Sequence, residues 1–198
     1  MVDAGIGRLL IASLHQGIAD VAPARLEFYE NWLSPTGLRD GRMGLAPLGA
    51  VLSFLHREPA PDDHAIPERS GTCAAEWAFE ALSGARKGLI RRLPLGLRTR
   101  AALRLGRALA HETVGRSRVK WRLRTGHAQV EIRSPIFEYL RQSSAAPMRL
   151  FYAAAFRECL THCDVEATVR VEEIPAACTL VVDILGARSR SQSLLDVA

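Results

Sequence analysis

Residues 119–133 read VKWRLRTGHAQVEIR, and this stretch decides the class of fold. Apolar and polar side chains alternate through 119–124 and again through 128–133, on either side of Thr125 and Gly126. Alternation with a period of two is typical of a strand that buries one face, and a Thr-Gly pair between two such runs is typical of a tight turn. The stretch therefore predicts an antiparallel hairpin.

The chain around the hairpin is mainly helical. Apolar residues recur at helical spacing in five segments before it: 7–19, 23–33, 45–56, 68–82 and 97–110. Residues 58–67 carry three prolines and three acids and predict a loop. A helix over 147–162 and strands over 166–172 and 178–184 follow the hairpin. This order predicts an α+β fold with helices packed on an antiparallel sheet of about four strands.

Length and composition are those of an ordinary globular protein. The 198 residues, 48% hydrophobic and 24% charged, predict a single domain. Its parts are a helical amino-terminal region (1–92), a main region (93–186) and a flexible tail (187–198). The sequence shows neither a run of about 20 apolar residues nor a signal pattern, so it predicts a cytoplasmic protein. Four cysteines are too few for a secreted disulfide scaffold.

Charge is concentrated in residues 86–124. This segment holds 13 basic residues and one acid, for a net charge of +12, while the rest of the chain sums to −7. Such a segment favours an anionic partner: a membrane surface, a carboxylate-bearing ligand or an acidic protein. Nucleic acid is disfavoured because no aromatic-rich motif accompanies the cations. The alternative is a solvated helix face whose cations pair with acids elsewhere in the fold.

The sequence carries no catalytic or cofactor motif. Gly5-Ile6-Gly7 lacks the preceding strand and third glycine of a dinucleotide fingerprint, and no serine lies in a nucleophile elbow. We therefore predict no catalytic residue and no cofactor, and a binding protein rather than an enzyme.

Two groups of residues have metal-binding chemistry with a structural alternative. Cys159, His162 and Cys163 have the spacing of metal ligands on one helix, with Cys178 as a further donor, but free cysteines more often pack in a core. We therefore predict no metal site. His111 suits either an axial ligand of a metallated tetrapyrrole or a cap at the end of a helix, where a cation is favoured.

Aromatic side chains are concentrated in the second half of the chain and suit an apolar ligand pocket as well as a core. We predict that a small apolar or tetrapyrrole-like molecule binds between the 147–162 helix and the sheet, with basic side chains meeting its carboxylates. The candidate ligand-binding residues are Trp121, Phe137, Phe151, Tyr152, Phe156, Arg100, Arg104 and His111.

Several segments carry a resemblance to a known family: SPIF (134–137), PMRLFYAAAF (147–156), VRVE (169–172) and CTLVV (178–182). Over residues 93–186 the chain resembles the 4-vinyl reductase domain family, which includes bacteriochlorophyll-biosynthesis proteins and is related in fold to the small subunits of the TRAPP vesicle-transport particle. Two of three cysteines often found in that family are missing here. One would fall at Pro175, and only Cys178 remains.

The resemblance implies a homodimer with an apolar or tetrapyrrole-binding pocket and an accessory role in bacteriochlorophyll biosynthesis, handling vinyl-bearing intermediates. A second hypothesis is a non-enzymatic assembly or tethering subunit that acts through its helical face and the basic segment 86–124, in contact with a partner or a membrane surface. A third is a 4-vinyl reductase that needs an external reductant.

Overall fold

The computed structural model describes residues 6–30, 45–57, 62–140, 145–174 and 177–188. Within these ranges the chain forms eight helices, one short 3-10 turn (Pro23–Arg25) and four strands. The helices are α1 (Arg8–Val21), α2 (Leu26–Glu30), α3 (Leu45–Arg57), α4 (Asp62–Glu80), α5 (Gly84–Arg92), α6 (Leu95–Thr113), α7 (Pro135–Tyr139) and α8 (Ala146–His162). The strands are β1 (Arg118–Arg124), β2 (His127–Arg133), β3 (Val165–Ile174) and β4 (Ala177–Ala187). The predicted α+β class is confirmed.

The four strands form one antiparallel sheet in the order β1-β2-β4-β3. The predicted hairpin is β1 and β2, with Arg124 opposite His127 across the turn. Gly126 has a φ of +74°, a backbone conformation that glycine adopts without steric cost. The turn therefore fixes the register predicted from the alternation of side chains.

The sheet buries one face and leaves the other polar. Val130, Ile132 and Leu180 have no accessible surface on the inner face, and Val119 is buried beside them. Lys120, which is exposed on the outer face, lies opposite Glu131. A one-residue slip of register would exchange these two faces, so the apolar pattern specifies the pairing strongly.

Helix α8 is the centre of the core. It packs against α4, α6 and β3, and α1 packs on the far side of α4. Close approach between α1 and α4 depends on Gly17, since a Cβ there would lie 2.1 Å from the Ser70 hydroxyl. The core thus consists of a sheet, the central helix α8 and an outer group of helices.

The loop predicted over 58–67 is wrong in its second half, because α4 begins at Asp62 and includes Pro67. Proline in a helix removes one backbone hydrogen bond. Burial offsets this loss here, since Ile66 is only 1% exposed and packs in the core. The proline content of the sequence gives no information on this burial of Ile66, which depends on tertiary packing.

Helix α5 was not predicted because it lacks a buried apolar stripe. None of its residues is buried, and its first turn is capped by Ser83, whose hydroxyl accepts a hydrogen bond from the Arg86 backbone N–H at 3.4 Å. Capping can begin a helix without a periodic apolar pattern.

Two other expectations concern the chain ends and the membrane. The tail predicted over 187–198 lies outside the described residues apart from its first two, and Ala187 is the last residue of β4. Among the described helices, none combines the length and apolar character needed to cross a membrane.

Candidate functional site

The residues predicted to bind a ligand lie in three separate places. Phe137, Phe151, Tyr152 and Phe156 lie in the core, Trp121 lies half-buried on β1, and the three polar candidates lie on the outer face of α6. The structure therefore brings the aromatic residues together but does not bring the arginines to them.

All four aromatic residues are buried in the core, and three of them pack against one another. The Tyr152 ring centroid lies 5.4 Å from that of Phe151 and 6.0 Å from that of Phe137. The Tyr152 hydroxyl is 3.1 Å from the Thr113 hydroxyl, and burial raises the pKa of Tyr152. Phe151, Tyr152 and Phe156 have no accessible surface. A ligand reaches these three side chains only if the core opens, and their role in binding stays a prediction.

The polar candidates face away from this core. Arg100, Arg104 and His111 are all exposed on α6. The buried side of α6 carries only small or apolar residues and two threonines: Thr99, Ala102, Leu103, Gly106, Leu109, Ala110 and Thr113. A ligand held among the core aromatics does not meet these arginines in this arrangement.

The thiols considered as metal ligands are all buried. Burial raises the pKa of Cys163 to about 11 and that of Cys178 to about 12, and it raises the pKa of Cys159 further. A thiol binds metal as the thiolate, so these groups are in the wrong protonation state at neutral pH. His162 is stacked on Phe79, with ring centroids 4.6 Å apart. Among the described residues no group of three or more His, Cys, Asp or Glu side chains is placed to hold a metal ion.

We expect the folded protein to resist thiol reagents. With Ellman's reagent at about pH 8, fewer than one thiol per chain should react in native buffer, because exposure and thiolate formation are both suppressed. All four should react once the chain is unfolded in guanidinium chloride. The denatured sample is the control for the total count. Rapid labelling of a thiol in the native protein would contradict the buried placement.

A pocket lies at the sheet, in a part of the structure that the aromatic pattern did not indicate. Its volume is about 400 Å³. Its walls come from all four strands: Lys120, Trp121, Arg122, Gln129, Glu131, Arg133, Ile174 and Thr179. We refer to it as the sheet pocket. Three cations, one carboxylate, one amide, one hydroxyl and the Ile174 side chain therefore surround one space. The Trp121 side chain, which alternates with Lys120 and Arg122 along β1, packs against the core.

The sheet pocket has a net positive charge, because the fold neutralises only one of its three cations. Arg133 donates from Nε to Glu131 Oε1 at 2.6 Å, which neutralises that pair. Lys120 and Arg122 are exposed and form no ion pair within the described part of the chain. Two cations beside a hydrogen-bonding amide and the Ile174 side chain can bind an anionic group and an adjoining apolar group.

Of the residues that line the sheet pocket, sequence analysis singled out only Trp121. The outward positions of β1 and β2, including Lys120, Arg122 and Gln129, follow from the same alternation that predicted the hairpin. Thr179 and Ile174 could not be found that way, because their place on the same sheet as β2 depends on the pairing of β2 with β4 and of β4 with β3.

Comparison with known proteins gives a result for the fold alone. No family model matches the sequence, and no curated protein is significantly similar to it. Among solved structures, a point mutant of an H-NOX protein from K. algicida in the Fe(II) unliganded state is similar, with a TM-score of 0.59 and 9% identity over 90% of this chain and 96% of that one. The H-NOX domain from Shewanella oneidensis in the Fe(II)CO ligation state has a TM-score of 0.53 and 10% identity, over 90% of this chain and 98% of that one.

These findings overturn the predicted resemblance to the 4-vinyl reductase domain family and the TRAPP subunits, because the similar structures are H-NOX proteins. The quoted segments lie at the start of α7 and in α8, β3 and β4. They carry the apolar pattern that such helices and strands need in any sheet packed against helices. The role in bacteriochlorophyll biosynthesis loses its basis with the resemblance.

Proposed function

We propose that this chain is a small-molecule-binding protein, and that its ligand is a carboxylate- or phosphate-bearing molecule held in the sheet pocket. The proposal rests on two cations, Lys120 and Arg122, which line a space of about 400 Å³ and form no ion pair with any described residue. Small-molecule sites usually have roughly 300–1,000 Å³ and combine apolar walls with a few convergent polar groups.

Different side chains of the sheet pocket contact different parts of the ligand. Lys120 and Arg122 meet the anionic group, and Arg122 offers the planar fork that pairs with two oxygens at once. Gln129, directly opposite Arg122 on β2, supplies a neutral donor and acceptor. Ile174 covers an apolar portion of the ligand.

The likeness to H-NOX proteins supports a binding role, because the two similar structures are described in an unliganded and a CO-ligated state. H-NOX domains are haem-binding sensors. A haem iron in a protein is held by an axial histidine, cysteine, methionine or tyrosine. A haem-binding role for this chain would need one of these side chains at a buried site.

The histidines of α6, α8 and the sheet, together with Tyr152 and the cysteines, do not fit a buried haem. The buried face of α6 has no residue of those four types, and His111 at the end of α6 is exposed. His127 bonds Asp183 at 3.1 Å on the sheet, and His162 is stacked on Phe79. Tyr152 and the cysteines are buried, and burial raises their pKa values. We therefore place the ligand in the sheet pocket and derive no step through iron.

The test uses 1-anilinonaphthalene-8-sulfonate, a probe with a sulfonate and an aromatic body. The double variant Lys120→Gln/Arg122→Gln should bind it about tenfold more weakly, because two charge-assisted hydrogen bonds are lost at a partly exposed site. Inorganic phosphate and citrate should displace the probe from the natural protein. Fluorescence titration measures both effects, with circular dichroism as the check on folding.

The matched control is Arg118→Gln/Arg124→Gln, which removes the same charge from the same face of β1 outside the sheet pocket. We expect it to change affinity less than about twofold, since exposed charges outside the contact act weakly. Equal losses in the two double variants would reduce the effect to net charge and overturn the assignment.

Native mass spectrometry with an absorption spectrum of freshly purified protein provides an independent test. A bound anionic mass that is lost in Lys120→Gln/Arg122→Gln supports the proposal. A Soret-like band that survives in that variant would place a tetrapyrrole elsewhere in the fold and contradict it. The same spectra test the predicted homodimer.

A further inference from the structure

Helix α5 is attached to the domain along one side only. Lys87 Nζ donates to the Glu80 carbonyl at 3.0 Å and lies 5.5 Å from the Phe79 ring centroid, and the Arg91 guanidinium carbon lies 5.9 Å from the same centroid. Ile90 packs partly against the core. No residue of α5 is buried, so its remaining surface faces outward.

The outward side of α5 combines an exposed leucine with arginines. Leu89 is 62% exposed. Arg86 and Arg92 lie three residues before and after it, and residues three apart in a helix are neighbours on its surface. Leu97, in the first turn of α6, is 44% exposed. We refer to the outward sides of α5 and α6 together as the basic helical face.

Three cations of α5 and α6 contribute to the fold: Lys87 and Arg91 contact the Phe79 ring, and Arg98 donates to the Asp164 carbonyl at 3.2 Å. The other cations of the basic helical face are exposed. Residues 84–111 contain eight arginines and lysines and no acid. Within the described part of the chain, none of the exposed arginines of α5 and α6 forms an ion pair: Arg86, Arg91, Arg92, Arg100, Arg104 and Arg107. By contrast, Arg69 pairs with Asp20 at 2.6 Å, and Arg170 pairs with Asp183 at 2.6 Å. The sequence left open that these cations pair with acids elsewhere in the fold. Among the residues that the structure describes, no such ion pair is present.

We infer that the basic helical face docks on an anionic membrane surface. A short amphipathic helix with arginines around exposed leucines places its apolar side chains at the boundary of the acyl layer and its cations among anionic headgroups. Leu89 is exposed between Arg86 and Arg92, and the exposed cations continue along α6 to Arg107. This interaction is separate from the sheet pocket.

The test is co-sedimentation of the full chain with vesicles of phosphatidylcholine containing about 30% phosphatidylglycerol, and with vesicles of phosphatidylcholine alone. We expect binding to the anionic vesicles only, and a fall of about tenfold or more between about 50 and 500 mM NaCl. Arg86→Gln/Arg92→Gln should weaken binding about tenfold, and Leu89→Ser should weaken it about threefold.

Matched controls separate the basic helical face from net charge and general apolarity. Arg118→Gln/Arg124→Gln removes the same charge from the sheet, and Leu185→Ser changes a leucine that is 63% exposed, against 62% for Leu89. Both should bind the anionic vesicles as the natural protein does, within about twofold. Equal losses in helix and sheet variants, equal binding to neutral vesicles, or no binding to either vesicle would overturn the inference. The last result would instead favour an acidic protein partner.

Discussion

Replacement of Phe156 by alanine is expected to lower the free energy of unfolding by about 3–5 kcal/mol. Phe156 lies in α8 and has no accessible surface. Its ring fills the space beside Gly106 of α6, where an added Cβ would lie 2.5 Å from the Phe156 Cε1 atom. Because Gly106 has no side chain that can move into the space, truncation of Phe156 leaves a cavity between α6 and α8.

Urea denaturation followed by circular dichroism measures this loss. Leu185→Ala is the control, because Leu185 is 63% exposed and its truncation should cost less than about 0.5 kcal/mol. A cost for Phe156→Ala as small as that of the control would mean that α6 and α8 do not close on this ring.

A double-mutant cycle tests the contact itself. Gly106→Ala alone should destabilise the protein, since the Phe156 ring must move away from the new methyl group. Combined with Phe156→Leu, the same substitution should cost less, with a coupling energy of about 0.5–3 kcal/mol. Additive effects would show that the two residues do not touch.

Substitution of Gly71 by alanine is expected to cost about 3 kcal/mol, the upper end of the usual range for overpacking. A Cβ on Gly71 of α4 would lie 2.2 Å from the Phe151 carbonyl oxygen and 3.1 Å from the Ala154 Cβ, both in α8. The nearest atom belongs to the backbone, so a side-chain rotation cannot relieve the clash and the two helices must separate. The separation weakens the central packing of the fold.

Gly88 of α5 provides the matched control, because a Cβ at that position meets no atom within 4 Å. Gly88→Ala should raise the free energy of unfolding by up to about 1 kcal/mol through helix propensity alone. The two glycine substitutions should therefore change stability in opposite directions in the same denaturation assay. A stabilising Gly71→Ala would show that α4 and α8 are not in close contact.

Part of the candidate site could be predicted from the sequence. The alternation in 119–133 assigned Lys120 and Arg122 to a polar face, and the cluster of cations in 86–124 pointed to an anionic partner. The aromatic candidates were assigned to a ligand pocket because apolar side chains suit a pocket and a core equally. Burial, which distinguishes the two, is a property of the packed chain.

The sequence by itself determined the class of fold, because strand and helix periods are local and each strand needs only one dry face. Only the tertiary structure decided which cations are paired. Arg170 meets Asp183 across two strands, whereas Arg86 and Arg92 meet no acid in the described part of the chain. It also placed Ile174 and Thr179 around the same pocket as Lys120, through the order β1-β2-β4-β3. Local periodicity carries no information on contacts between segments far apart in the chain, and those contacts define both the sheet pocket and the basic helical face.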